Sequence, residues 1–169
     1  MNEKFKIGKS GISGRGVFAS QEIPKNSTIC FMIGEICSID EMIKRVDSGI
    51  ERDSDPLGID DELYLDLEVI YRTFNHSCSP NAFLRGKNEL VALKDIKEGE
   101  EITYDYSTTM NDNEEKIKSS GGTLWTCKCN CGSQNCRGII DQFKNLPKNT
   151  RDFYIKNRIM PDFMLIHFG

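Results

Sequence analysis

Thr73-Phe74-Asn75-His76-Ser77-Cys78-Ser79-Pro80-Asn81 is the stretch from which the rest of this chain is best read. Taken alone it is a polar loop, because Asn, Ser and Pro favour turns over regular elements. His76 has no second histidine near it in sequence, so the stretch does not indicate a histidine metal pair. Cys78 has thiols to join: the chain carries 7 cysteines, and Cys127, Cys129, Cys131 and Cys136 fall close together. Inside a cell such a cluster reads as a metal site before it reads as disulfides. Zinc takes four ligands in a tetrahedron. Cys129, Cys131 and Cys136 supply three, in a loop whose Lys128, Asn130, Gly132, Ser133, Gln134 and Asn135 are no core. The fourth is Cys127 or something distant. Three alternating thiols in one short stretch are hard to aim at one ion, which makes Cys78 the better candidate. A site closed by four thiolates has no open position for water, so its role is structural. Cys30 and Cys37 lie in apolar settings and read as core thiols. Cys127 is left without a role.

At 169 residues the chain is one domain with room for an appendage, long enough to bury its own core. Its 28% charged and 38% hydrophobic residues are those of an ordinary globular protein. The longest apolar stretch, Ile29 to Ile36, is too short to span a bilayer. The N-terminus lacks the apolar core of a secretion signal, which predicts an intracellular, reducing location. A net charge of -4 argues against a nucleic-acid binder and is compatible with a basic peptide drawn to an acidic cleft.

The first two-thirds read as short strands. Gly16 to Ala19, Thr28 to Glu35, Leu63 to Tyr71, Leu90 to Leu93 and Glu101 to Tyr106 carry the β-branched and aromatic residues of a pleated surface. Arg85 to Asn88 is a hairpin turn. Ile23 to Ile29 and Ile96 to Ile102 share a turn-then-strand pattern, with Asn26 and Gly99 tolerant of positive φ. That likeness is too small to establish a repeat. Ser38 and Glu41 form a capping box for a helix that Gly49 ends. Ser107 to Thr123 is polar and contains Gly121-Gly122, the composition of a mobile loop. A further helix is expected from Thr150, as N-cap, to before Pro161. No G-x-G-x-x-G follows a strand, so no Rossmann-type site is indicated.

Four motifs in order resemble the SET-domain protein-lysine methyltransferases. Asn75-His76-Ser77-Cys78-Ser79-Pro80-Asn81 resembles the first signature of that family, and Gly99-Glu100-Glu101-Ile102-Thr103-Tyr104-Asp105-Tyr106 the second. Ser13-Gly14-Arg15-Gly16-Val17-Phe18-Ala19 resembles the N-terminal cofactor loop, and Cys129 to Gly138 the post-SET zinc motif. The resemblance implies a mostly β fold, a β-clip-like pseudoknot of small sheets with peripheral short helices. It divides the chain into a SET domain (5–107), a flexible loop (108–123), a post-SET zinc segment (124–140) and a C-terminal helical extension (141–169). It brings Cys78 to Cys129, Cys131 and Cys136 around structural Zn2+.

The resemblance also implies the chemistry, a methyl transfer from S-adenosylmethionine to a protein lysine. The target is a histone tail or similar basic segment, with a nuclear or chromosomal location if the source is eukaryotic and a cytoplasmic or host-delivered one if it is microbial. Tyr106 matches the catalytic tyrosine. Asn75 and His76 match residues that hold the adenosyl end of the cofactor, and Arg15 and Gly16 the loop at its methionine end. Tyr64 matches a further cofactor-contacting tyrosine, and Trp125 is expected to cover the adenine. Tyr104 takes a position held by Phe or Tyr in the family, where an extra hydroxyl restricts space and implies mainly monomethylation. Met32 replaces a tyrosine that usually lines the lysine channel. Two other readings stay open, a methyltransferase acting on a non-histone protein and a silent, zinc-stabilised binding module. Neither direct nucleic-acid binding nor membrane association is expected.

Overall fold

A computed structural model describes residues 4–50 and 55–169. Its first pair of strands is antiparallel, β1 (Phe5–Lys9) with β2 (Arg15–Ala19). β3 (Thr28–Phe31) and β4 (Gly34–Ser38) come next, then α1 (Ile39–Asp47), β5 (Pro56–Asp60) and β6 (Leu63–Leu67). The two-residue strand β7 (Asn75–His76) precedes the hairpin β8 (Ala82–Arg85) and β9 (Glu89–Ala92). β10 (Thr103–Tyr104) lies parallel to β7, pairing Thr103 with Asn75 and Tyr104 with His76. Two three-stranded sheets, ordered β3-β9-β8 and β4-β6-β5, complete the frame. Beyond it lie α2 (Glu114–Ser119), a short ladder of β11 (Cys127–Lys128) with β12 (Ile139–Ile140), α3 (Lys148–Asn157) and α4 (Asp162–Phe168).

Alternating apolar residues make these small sheets share one core. Val17, Ala82, Leu84, Leu90, Ile96 and Ile102 have no solvent exposure. Phe74, just ahead of β7, meets Phe5 edge-on with ring centroids 5.3 Å apart. A second cluster joins Phe143, Leu146, Tyr154, Met160 and Met164 under the C-terminal helices.

The two similar turn segments meet. Ile23 and Ile96 exchange both backbone hydrogen bonds, at 2.8 and 2.9 Å. Around them the pattern repeats at constant offset. Asn26 N–H donates to Ala92 O and Gly99 N–H to Ala19 O, while Ala92 N–H donates to Ser27 O and Ala19 N–H to Glu100 O. Asn26 (φ 67°) and Gly99 (φ 83°) occupy the same left-handed place in the two turns. The segments are therefore a local two-fold repeat, a relation that their spacing alone was too slight to establish.

Several expected elements end sooner or begin elsewhere. The run 28–35 breaks at Met32, whose N–H donates to Asn88 O and whose carbonyl accepts from Asn88 Nδ2, both at 2.8 Å. At Gly34 any Cβ would collide with the Asp66 carbonyl of β6, so glycine permits the close pairing. The strand expected to Tyr71 stops at Leu67, and a 3-10 turn occupies Tyr71–Thr73. Helix α1 starts as read, with the Ser38 hydroxyl accepting from Glu41 N–H. Residues 108–123 hold the end of a 3-10 turn (Tyr106–Thr109) and helix α2. This helix has no buried residue, which is why it looks like a loop in sequence. Asn113 caps it, and Lys116–Glu62 and Lys144–Glu114 ion pairs tie it down. Helix α3 begins at Lys148 after Pro147, so Thr150 lies inside its first turn and is not the N-cap. The chain then reverses through Arg158 (φ 52°) into α4. Among the described residues no helix is long and apolar enough to cross a membrane.

Candidate active site and metal centre

Tyr64 on β6, Tyr104 on β10, Tyr106 just beyond it, Phe74, Tyr71 and Trp125 line one cavity of about 280 Å³. The rings of Tyr104 and Tyr106 stand 4.9 Å apart. Tyr104 is buried, and loss of water, followed by the nearby Tyr106, holds its hydroxyl well above its ordinary pKa. The Tyr106 hydroxyl donates to Phe74 O at 2.6 Å, which fixes its ring across the cavity wall. Burial and then the Asp112 charge keep the Tyr64 hydroxyl protonated. It donates to Asp112 Oδ1 at 2.6 Å, and Gln142 Nε2 holds the other oxygen of that carboxylate at 2.7 Å. Neither Asp112 nor the fully buried Gln142 has a signal in the sequence pattern.

The remaining residues with an expected cofactor role gather behind β7. The Asn75 amide donates to Arg15 O at 2.9 Å, Glu101 Oε1 at 2.7 Å and Ser10 Oγ at 3.1 Å. Gly16 is buried against the same carboxylate, where any Cβ would overlap Glu101. Side-chain bonding of Asn75 is thus spent on positioning the loop around Arg15 and Gly16. Arg15, Gly16, Asn75 and His76 are not among the cavity-lining residues, whereas Tyr64 and Trp125 are. The two groups touch through His76 and Tyr106, whose rings meet edge-on at 5.5 Å. Met32 was expected in the channel, but it is fully buried in the main core and is not one of the cavity-lining residues.

His76 is buried, and desolvation lowers its pKa to about 4, with Asp105 opposing the shift and Arg137 adding to it. Its Nδ1 accepts the Tyr106 N–H at 3.2 Å, so Nε2 carries the proton, 3.3 Å from Cys78 Sγ. Behind it, Asp105 is almost without exposure. Arg137 clamps its two oxygens at 2.8 Å each, Ser107 N–H adds a bond to Oδ1 at 3.1 Å, and the Tyr154 hydroxyl adds one to Oδ2 at 2.8 Å. Strand alternation could have flagged Asp105 as facing away from its flanking tyrosines, but its partners come from distant segments.

The sulfurs of Cys78, Cys129, Cys131 and Cys136 lie within 4.8 Å of one another. Cys78 and Cys129 are 3.7 Å apart, close to the edge of about 3.8 Å that a tetrahedron with Zn–S bonds of about 2.3 Å requires. Backbone N–H groups of Arg137 and Gly138 point at Cys78 and Cys136, each at 3.4 Å, and favour thiolates. Burial raises the Cys131 thiol, yet donors from Ser133 and the Cys78 backbone outweigh it and bring the pKa to about 6. Cys127 is exposed on β11, outside the group. Cys30 and Cys37 are core thiols, and burial pushes Cys30 up to about 12. Glu35, Cys37 and Asp66 also cluster, but Arg45 bridges the two carboxylates and supplies the counter-charge.

The SET domain family model matches residues 14–107. The chain is similar to histone-lysine N-methyltransferase mes-4 of Caenorhabditis elegans, 33% identical over 168 residues, covering 85% of this chain and 17% of that protein. An H3 lysine-4 specific histone-lysine N-methyltransferase of Schizosaccharomyces pombe is 35% identical over 153 residues, covering 82% of this chain and 15% of that protein. The crystal structure of the methyltransferase domain of human histone-lysine N-methyltransferase SETMAR has the same fold. Its TM-score is 0.61 at 24% identity, over 82% of this chain and 58% of that one. This chain therefore spans less than a fifth of the two sequence relatives' own length.

Proposed function

This chain belongs to the SET-domain family, and on that premise we propose that it transfers a methyl group from S-adenosylmethionine to the side-chain amine of a protein lysine. One observation supports the reading above others. An aromatic cavity walled by Tyr104 and Tyr106 abuts, through the His76 ring, the segment that carries Asn75. A lysine arrives protonated, with a reference pKa of about 10.4. A cavity of buried aromatic rings disfavours the charged form, so the proton goes to solvent before reaction. The neutral nitrogen then attacks the sulfonium methyl in line, the C–S bond breaks, and S-adenosylhomocysteine leaves. Sulfonium chemistry supplies the leaving group, and the protein's contribution is positioning. Tyr106, anchored on Phe74 O, orients the amine, and Tyr104 narrows the space, giving mainly monomethylated product. Asn75, His76, Arg15 and Gly16 hold the cofactor through backbone groups, with Tyr64 and Trp125 contacting it from the cavity side.

Zn2+ fits the four sulfurs of Cys78, Cys129, Cys131 and Cys136, and it would close the 124–140 segment onto the 5–107 domain. The 108–123 segment and the 141–169 extension flank this unit. The substrate class is a histone tail or a similar basic segment, and the reading carries a nuclear or chromosomal location with it. Transfer of a radiolabelled methyl group to histones and to a cell lysate, followed by site mapping, tests the activity. Label on a non-histone lysine would change the substrate and keep the chemistry. Failure to bind S-adenosylmethionine in calorimetry would reduce the protein to a silent binding module.

A further inference from the structure

The carboxylate of Asp105 is saturated. Oδ1 accepts from Arg137 Nη2 and Ser107 N–H, and Oδ2 accepts from Arg137 Nη1 and the Tyr154 hydroxyl. Two oxygens with two lone pairs each thus meet four donors around a buried carboxylate. None is left for His76, whose Nδ1 lies 3.4 Å from Oδ1 and turns to the Tyr106 N–H instead. The four donors come from three residues in different parts of the chain. Ser107 belongs to the turn after Tyr106, Arg137 follows the ligand Cys136, and Tyr154 is a buried residue of α3. Arg137 also donates its own N–H to Cys78 Sγ at 3.4 Å. One buried charge therefore joins helix α3 and the thiol cluster to the residue bonded directly to Tyr106.

We propose that Tyr154 is a positioning residue for methyl transfer, so that helix α3 fixes Tyr106 through Asp105. This rests on the reading of Tyr106 as the residue that orients the amine. Tyr154 packs its ring against Phe143, with centroids 6.4 Å apart, and that contact survives removal of the hydroxyl. Tyr154→Phe then leaves one acceptor position of a buried carboxylate empty, which loosens the turn carrying Tyr106 and Ser107. The Asn75 amide bonds go to Arg15, Ser10 and Glu101, none of which touches Asp105, and the His76 ring beside Asp105 takes its bond from Tyr106 N–H and not from the carboxylate, so the effect is expected on kcat more than on cofactor affinity.

The test compares the full chain with Tyr154→Phe and with Asp152→Ala, which removes only an exposed α3 ion pair with Lys148. Amide hydrogen exchange of residues 103–109 reports the clamp without requiring activity. Loss of a hydrogen bond to a charged group is expected to speed exchange there about tenfold in Tyr154→Phe. Asp152→Ala should match the parent. With a methylatable peptide, kcat per bound cofactor should fall about tenfold in Tyr154→Phe, with KM for S-adenosylmethionine within about twofold. Unchanged exchange in Tyr154→Phe overturns the proposal, as does equal acceleration in Asp152→Ala. A fall in kcat that only tracks lost cofactor-binding sites overturns it as well. If the parent protein transfers no methyl group at all, the functional reading fails, while the exchange comparison still decides whether Tyr154 holds the Tyr106 turn.

Discussion

The sheets around Val17, Leu84, Leu90, Ile96 and Ile102 and the loop from Cys127 to Ile140 are held together by different means. The sheets bury aliphatic side chains completely and satisfy their backbone across ladders. The loop has two paired residues per strand and buries only Cys129 and Ile140, so its position depends on the four sulfurs that converge near Cys78. Apolar burial scales with area and needs many residues. A metal cross-link concentrates its effect at one point and suits a segment with no core of its own. The lesson is that the loop lacks the packing that holds the sheets and brings instead four sulfurs, the chemistry of a metal cross-link, to one point.

The largest effect is expected where the frame gives the loop least help. Chelation of the metal, or Cys136→Ser, should release residues 124–140 to protease while the β8–β9 hairpin keeps its exchange protection. Structural zinc in small domains contributes on the order of 10 kcal/mol, so methyl transfer should be abolished. Elemental analysis showing no metal in an active, protease-resistant protein would erase the contrast. Next comes Tyr106→Phe, which should lower kcat about a hundredfold or more, lower stability only by the lost bond to Phe74 O, about 1–3 kcal/mol, and leave metal content unchanged. Turnover near that of the parent would remove its assigned role. Ile96→Ala attacks the frame itself and should cost about 2–5 kcal/mol in denaturant unfolding, with the metal retained until the sheets melt. Earlier loss of metal would mean that the two regions are less independent than drawn. The smallest effect belongs to Tyr104→Phe. It should leave stability nearly unchanged and shift the product toward higher methylation, read by mass spectrometry at excess cofactor. Abundant trimethyl product from the parent protein would already contradict the role given to Tyr104.

Much of this was legible from residues 73–81 and the motifs around them, because those motifs encode backbone bonding that admits few substitutes. Gly16 is one case, since a side chain there would displace Glu101 and with it the Asn75 amide. Cys78 was selected over Cys127 by the difficulty of aiming alternating thiols, and the sulfur positions agree. What stayed hidden depends on long-range meeting. Asp105 reads as one polar residue between two tyrosines until Arg137 and Tyr154 arrive from other segments. Helix α2 has no apolar face to announce it and is fixed by ion pairs to Glu62 and Lys144. Met32 occupies the sequence position of a channel residue, but it is fully buried and does not line the cavity.

The matched turns around Ile23 and Ile96 have a further meaning. Their reciprocal bonds have the self-complementary form of an isologous contact, in which one surface serves both sides. At this one place a single chain thus carries the bonding pattern of a two-fold contact. Exchanging residues 23–29 with 96–102 should therefore preserve the backbone bonds of both turns, since the donors and acceptors they use are the same on each side.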